Sequence, residues 1–180
     1  MKILLMRHAL AVGNAEGRML GQLDLPLRAI GVKQAQRLAE FLAAHSWPPT
    51  HLYCSPLKRA IQTLEILQGG HPLPISALPL QRAAALLEIN NGVLQGLTWQ
   101  EAEQQQPELC RALLSSTAWL PIPGGESWQD CCDRTEAWVV ALCKQHHSCD
   151  RLWIVSHGGI LPYLIAAILG TEMVWQIENI

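Results

Sequence analysis

The sequence predicts an α/β protein of three layers, a largely parallel central sheet with helices on both faces. Three observations carry this. Short apolar runs such as Lys2–Met6 and Leu152–Val155 are too short for helices and fit strands buried on both sides. Amphipathic helical stretches alternate with these runs along the chain. Polar segments bearing glycine follow the runs directly, as at His157-Gly158-Gly159. With 180 residues, 49% of them apolar and 16% charged, the chain is rich enough in apolar side chains for a core and too apolar for disorder. At this length roughly 70% of the unfolded surface is buried, so disulfide staples are not required. One unit spanning 1–180 is expected, with no internal boundary or repeat.

Each element has a local reason. Gly31–His45 places Ala35, Leu38, Ala39 and Leu42 on one helical face and ends at Trp47-Pro48-Pro49. His51–Cys54 is a second strand. Ser55 is read as N-cap and Pro56 as first-turn residue of a helix running to Leu67, stopped by Gly69-Gly70. Leu73–Ala77 is a third strand candidate, and Leu86–Gly96 reads as loop. Thr98 with Glu101 three residues on predicts a capped short helix to Gln105. Ser127 is expected to cap a long helix to about His147. Leu152–Leu169 has nearly the length of a membrane span. Its Ser156-His157-Gly158-Gly159 and Pro162 instead predict strand, tight turn and buried helix.

Composition excludes several functions. A net charge of -2, from 13 basic and 15 acidic residues, lacks the basic excess of a nucleic-acid or membrane-surface binder. The six cysteines form no CxxC pair, and Cys143, His146, His147 and Cys149 are read as a helix end entering a turn, not a metal centre. No charged n-region and apolar h-region open the sequence, so reduced thiols and a cytoplasmic location are expected. Nine of the basic residues are arginine, the side chain that clamps phosphate with a planar fork.

The chemistry-bearing residues sit where ligands bind in such sheets, at the carboxyl ends of strands. Arg7-His8 follows the first strand and His157-Gly158-Gly159 the last, while Arg59 lies just inside the helix after Cys54. Two histidines, two arginines and a helix N-terminus converging there describe a phosphate site. Glu88 is the sole acid between Leu67 and Glu101.

In order along the chain, Met6-Arg7-His8-Ala9 with Asn14, Gly21–Leu27 with Gly31, Ser55–Thr63, Leu87-Glu88 with Gly92 and Gln95-Gly96, Pro123–Ser127, and Val155–Gly159 make six blocks. Together they resemble the histidine phosphatase superfamily, the phosphoglycerate mutase-like fold. The resemblance implies His8 as the phosphorylated nucleophile and Arg7, Arg59 and His157 as ligands of the phosphoryl oxygens. It implies Glu88 as general acid, and Asn14 and the backbone at Gly21 and Gly158 as further phosphate contacts. It also implies a lid over about 86–126 and a metal-independent phosphomonoesterase, with no metal or cofactor, acting on a small phosphorylated metabolite.

Departures from the pattern are Ala9 for the signature glycine, Leu10 and Ala11 for a polar pair, Arg28 for threonine and Gln95 for glutamate. A further C-terminal edge strand is implied and is expected to be missing, since the chain stops at Ile180. Trp99 and Trp119 flank the lid and are candidates to line a substrate pocket, whereas Trp128, Trp138, Trp153 and Trp175 read as packing residues. Arg18 and Arg28 read as surface side chains. Three rival functions are open. Mutase chemistry is disfavoured by a short 88–125 segment holding one arginine, Arg111. A non-catalytic phospholigand binder is disfavoured because the reactive set is intact. A protein phosphatase acting on phosphohistidine is disfavoured by the moderate lid.

Overall fold

The computed structural model describes residues 1–45, 47–72 and 75–171. Among the described residues four strands form one sheet, β1 (Lys2–Arg7), β2 (His51–Cys54), β3 (Leu80–Arg82) and β4 (Arg151–Ser156). Their order across the sheet is β1-β4-β2-β3, and every pair is parallel. The register sets Arg7 beside Ser156 and Cys54 beside both Val155 and Arg82, so all four strands finish on one edge. Arg7-His8, Ser55, Ser156-His157 and the chain leading to Glu88 therefore leave the sheet together.

Side-chain alternation along the strands builds the layers. Leu4, Met6, Trp153 and Val155 pack on one face with helices α1 (Ala29–His45) and α2 (Lys58–Gly69). Ile3, Leu5, Leu152 and Ile154 pack on the other with α5 (Trp128–Gln145) and α6 (Leu161–Leu169). Both faces are covered, which is why these strands read as continuous apolar runs rather than alternating ones. Between β3 and α5 lie two short helices, α3 (Trp99–Gln105) and α4 (Pro107–Ser115). They gather a third cluster around Leu94, Ala102 and Cys110, with Met19 and Ile122 against it. The sequence reading had no element for α4, although its Pro107 and Glu108 suit a first helical turn.

The predicted caps at Thr98 and Ser127 are both present, each as a reciprocal capping box. Thr98 and Glu101 exchange hydrogen bonds at the start of α3, and Ser127 and Asp130 do so at α5. Leu152–Leu169 is strand, turn and helix as expected, and no helix among the described residues is long and apolar enough to cross a membrane. Three readings need correction. Ser55 is not the cap of α2. That helix begins at Lys58 after Leu57, and the Ser55 hydroxyl instead accepts the Leu57 N–H across a turn held by Pro56. The third strand is Leu80–Arg82, not Leu73–Ala77. Ile75–Ala77 is a 3-10 turn whose Ile75 is buried in the first core cluster, leaving the pairing beside β2 to the next extended segment, while Leu73 and Pro74 lie outside the described residues. Loop 86–96 opens at the end of a 3-10 turn, Ala84–Leu86, and contains another at Gly92–Leu94. Trp175 and the C-terminal end also lie outside the described residues.

Cys54, Cys110, Cys131 and Cys132 are buried, while Cys143 and Cys149 are exposed, and all six are free thiols. Burial pushes the Cys54 and Cys131 thiols up to about 12, so neither is a nucleophile at neutral pH.

Candidate active site

Arg59 organises the site. It is the second residue of α2 and is 1% exposed, an unusual place for a guanidinium. Two of its nitrogens are anchored on carbonyl oxygens, Nη1 on Leu23 at 2.6 Å and Nη2 on Gly21 at 2.7 Å. Its Nε–H is shared between His8 Nε2 and His157 Nδ1, each at 3.2 Å. The two imidazoles are thus drawn together, with ring centroids 5.0 Å apart. Burial lowers the Arg59 pKa from its ordinary value, opposed in part by the Glu88 and Asp24 carboxylates.

These contacts fix both tautomers. His8 Nδ1 lies 2.7 Å from the Ala9 carbonyl, which only accepts, so Nδ1 carries the proton and Nε2 the lone pair. His157 Nδ1 receives the Arg59 proton, so its own proton sits on Nε2. That Nε2 is buried and has no hydrogen-bond partner among the described residues. A buried donor without an acceptor is costly and marks a place that awaits one. Burial, assisted by the charges of Arg59 and Arg7, lowers His8 to about 4. Burial and the Arg59 charge lower His157 to about 2. Both rings are neutral at physiological pH.

Around this pair lies a cavity of about 220 Å³ lined by Arg7, His8, Asn14, Gly21, Arg59, Glu88 and Gly159 among others. A larger cavity of about 630 Å³ lies between α5 and α6 and contains none of these groups. Arg7 leaves the end of β1 and packs its guanidinium over Gly158, where a Cβ would approach to 3.3 Å. Glu88 reaches in from the opposite side. Its carboxylate accepts the Gly159 N–H at 3.1 Å and the Ile89 N–H at 2.9 Å. A Cβ at Gly159 would come within 2.6 Å of that carboxylate, so any larger residue here would displace the Glu88 side chain from its place.

The other expected residues divide. Asn14 lines the cavity, with its Oδ1 receiving the Ala11 N–H and pinning the loop after His8. Gly21 lines it too, in the left-handed region at φ 49°, but its carbonyl serves Arg59. Gln95, at the glutamate position, accepts the Gln22 N–H at 2.8 Å, a task its amide oxygen performs as a carboxylate would. Ala9 is accommodated, its N–H donating to Thr63. Arg28 is exposed and pairs with Glu16. Arg18 stands at the cavity rim, yet both its terminal nitrogens are engaged by Glu101, with Nη1 also on the Gly96 carbonyl. Neither Trp99 nor Trp119 lines this cavity. Trp99 sits on α3 bonded to Glu103, and Trp119 lines a separate apolar pocket with Leu113 and Ile122.

Residues that the sequence reading did not single out hold the machinery in place. Arg134 of α5 bonds Glu126 at 2.7 Å and the carbonyls of Ala85 and Glu88, bracing the segment that presents the acid. Gln22 reaches the Glu88 carbonyl and Glu126 from the other side. Thr63 donates to the Arg59 carbonyl and accepts from Ala9, coupling α2 to the nucleophile loop. Its four-residue spacing from Arg59 was the available signal.

The profile of the histidine phosphatase superfamily, branch 1, matches residues 3–178. The chain belongs to this family. A metal-independent phosphoserine phosphatase of Arabidopsis thaliana is 36% identical over 179 residues, covering 99% of this chain and 73% of that protein. A probable phosphoglycerate mutase of Salmonella paratyphi C is 34% identical over 170 residues, 94% of this chain and 75% of that protein. Among solved structures, a putative α-ribazole-5'-P phosphatase of Escherichia coli superposes with TM-score 0.84 at 28% identity, covering 96% of this chain and 81% of that one. A mycobacterial glucosyl-3-phosphoglycerate phosphatase gives 0.76 at 29% identity, with 94% and 79% covered. The chain is accordingly a phosphoryl-transfer enzyme of the phosphoric monoester hydrolase class.

Proposed function

We propose that this histidine phosphatase hydrolyses a small phosphate ester through a phosphohistidine on His8, with no metal ion in the chemistry. The observation that carries the reading is the Arg59 Nε–H bridging two neutral imidazoles across one cavity from a carboxylate. His8 Nε2, the unprotonated nitrogen, attacks phosphorus. The remaining N–H groups of Arg59, the Arg7 guanidinium and the unpartnered His157 Nε2–H take the phosphoryl oxygens and spread their charge. Asn14 and the backbone at Gly21 and Gly158 complete the cradle.

Glu88 supplies the proton. The dianionic ester beside its carboxylate favours proton uptake, and the proton passes to the leaving oxygen as the P–O bond breaks. In the second half, Glu88 takes a proton from water as that water displaces His8. The arginines provide the positive charge that a metal supplies in other phosphatases. Segment 86–126 acts as the lid of a single unit spanning the chain, and its identity selects the alcohol. The partner is a small phosphorylated metabolite rather than a nucleic acid or membrane. Free thiols fit a cytoplasmic location.

The test is hydrolysis of p-nitrophenyl phosphate in EDTA by the chain and by His8→Ala. Turnover in the first and none in the second supports the assignment, and acid-labile but base-stable labelling of His8 in a quench supports the intermediate. Turnover that survives His8→Ala overturns it. Efficient interconversion of 2- and 3-phosphoglycerate would move the chain to the mutases.

A further inference from the structure

At the sheet end remote from His8, three elements meet. His51 opens β2, His146 follows α5 and Asp150 precedes β4. One ligand-capable atom from each lies within 4.8 Å of the others. His146 is buried and the other two are half-buried. The two rings stand edge to face with centroids 4.3 Å apart.

The hydrogen bonds define what each group offers. Thr50 Oγ1 donates to the Arg151 carbonyl and accepts the Arg151 N–H, so it accepts the His51 Nδ1–H at 2.9 Å as well. His51 Nε2 is left with its lone pair. Asp150 Oδ2 accepts from His146 Nδ1 and from the His147 N–H, each at 3.0 Å. Tyr53 Oη meets His146 Nε2 at 2.8 Å.

We propose that His51 Nε2, His146 Nδ1 and an Asp150 carboxylate oxygen form a binding site for one zinc-class divalent ion, with water as fourth ligand. Two imidazoles and a carboxylate suit a borderline ion and not calcium or magnesium, which take mainly oxygen. Tetrahedral zinc wants donors roughly 3.3 Å apart, so small side-chain rotations close the set. The groups that would aim these ligands are already in place. Thr50 orients His51, and the His147 N–H orients Asp150. Binding exchanges the His146 tautomer without proton loss. Nδ1 gives its lone pair to the ion and Nε2–H donates to Tyr53 Oη. The ion would clamp the entry to two central strands to the exit of α5. It would lie about 20 Å from His157, the length of β4, and so contribute stability rather than chemistry.

The experiment is zinc titration of the EDTA-stripped full chain, followed by thermal unfolding and by metal stoichiometry. At zinc a hundredfold above Kd, one ion per chain and a rise on the order of 5–10 °C are expected. The rise is lost in His51→Gln and Asp150→Asn, and kept in Cys143→Ser/Cys149→Ser and in His8→Ala. Cobalt(II) on the unaltered chain gives a second readout that needs no variant to fold, the visible bands of a tetrahedral nitrogen and oxygen site. Absence of any rise overturns the proposal. So does a rise that persists in His51→Gln, or one that follows the cysteines or His8.

Discussion

His8 and His157 show how burial prepares a residue for chemistry. An exposed histidine is half protonated near pH 6.5, and a protonated ring has no lone pair with which to attack. Here desolvation and two guanidinium charges bring His8 to about 4. Because kcat/KM reports groups of the free enzyme, its acid limb is expected near pH 4, with little loss between pH 7 and 5. A limb at 6.5 in a pH-rate profile would contradict the tautomer and charge assigned to His8. Glu88 acts on the leaving group, so the loss on replacing it depends on that group. Glu88→Gln is expected to lower kcat on an alkyl phosphate by about 10²- to 10⁴-fold. On p-nitrophenyl phosphate, whose leaving anion needs no proton, the loss should be about tenfold or less. Equal losses on both substrates would make Glu88 a structural residue. These residues were legible in the sequence because each stands at a strand end with few competitors. Arg134 was not, because a side chain that braces a backbone carbonyl leaves no motif, and Gln22 and Thr63 fell inside the matched blocks with no role attached to them.

Among the elements, the helix starts were read well where the cap is a reciprocal side-chain pair, as at Thr98–Glu101 and Ser127–Asp130. Ser55 misled because a serine before a proline satisfies turns as readily as caps, and here it serves the turn. The third strand was displaced because Leu73–Ala77 and Leu80–Arg82 are both short, and only pairing with β2 decides between them. Helix α5 carries Arg134 and so supports the acid segment from a distance. Ser127→Ala removes its cap and is expected to cost about 1 kcal/mol, lowering Tm by roughly 2–4 °C. Steady-state kcat at 25 °C should be unchanged, since Arg134 lies nearly two turns further along the helix. A fall in kcat alongside Tm would show that the first turn of α5 transmits to Glu88.

For the whole molecule, the layered α/β arrangement was legible because apolar runs and amphipathic stretches alternate at the right lengths. Strand order was not, since periodicity says nothing of neighbours; inserting β4 between β1 and β2 is what brings His157 within reach of both His8 and Arg59. The buried neutral histidines also tie global stability to pH. Their folded pKa values, about 4 and about 2, lie below the unfolded value near 6.5. The unfolded chain therefore binds more protons in acid, and stability is lost as pH falls from 6.5 toward 4. Urea midpoints measured across that range should decline, and the decline should be shallower in His157→Gln than in the parent chain. Inorganic phosphate, by filling the cradle, should raise the midpoint at every pH. The thiols have a practical corollary. The two that face solvent, Cys143 and Cys149, both sit at the pole where the strands begin, and the other four are enclosed. A maleimide surface or fluorophore would thus couple to the unaltered chain at that pole alone, presenting the mouth of every immobilised molecule outward to the substrate stream.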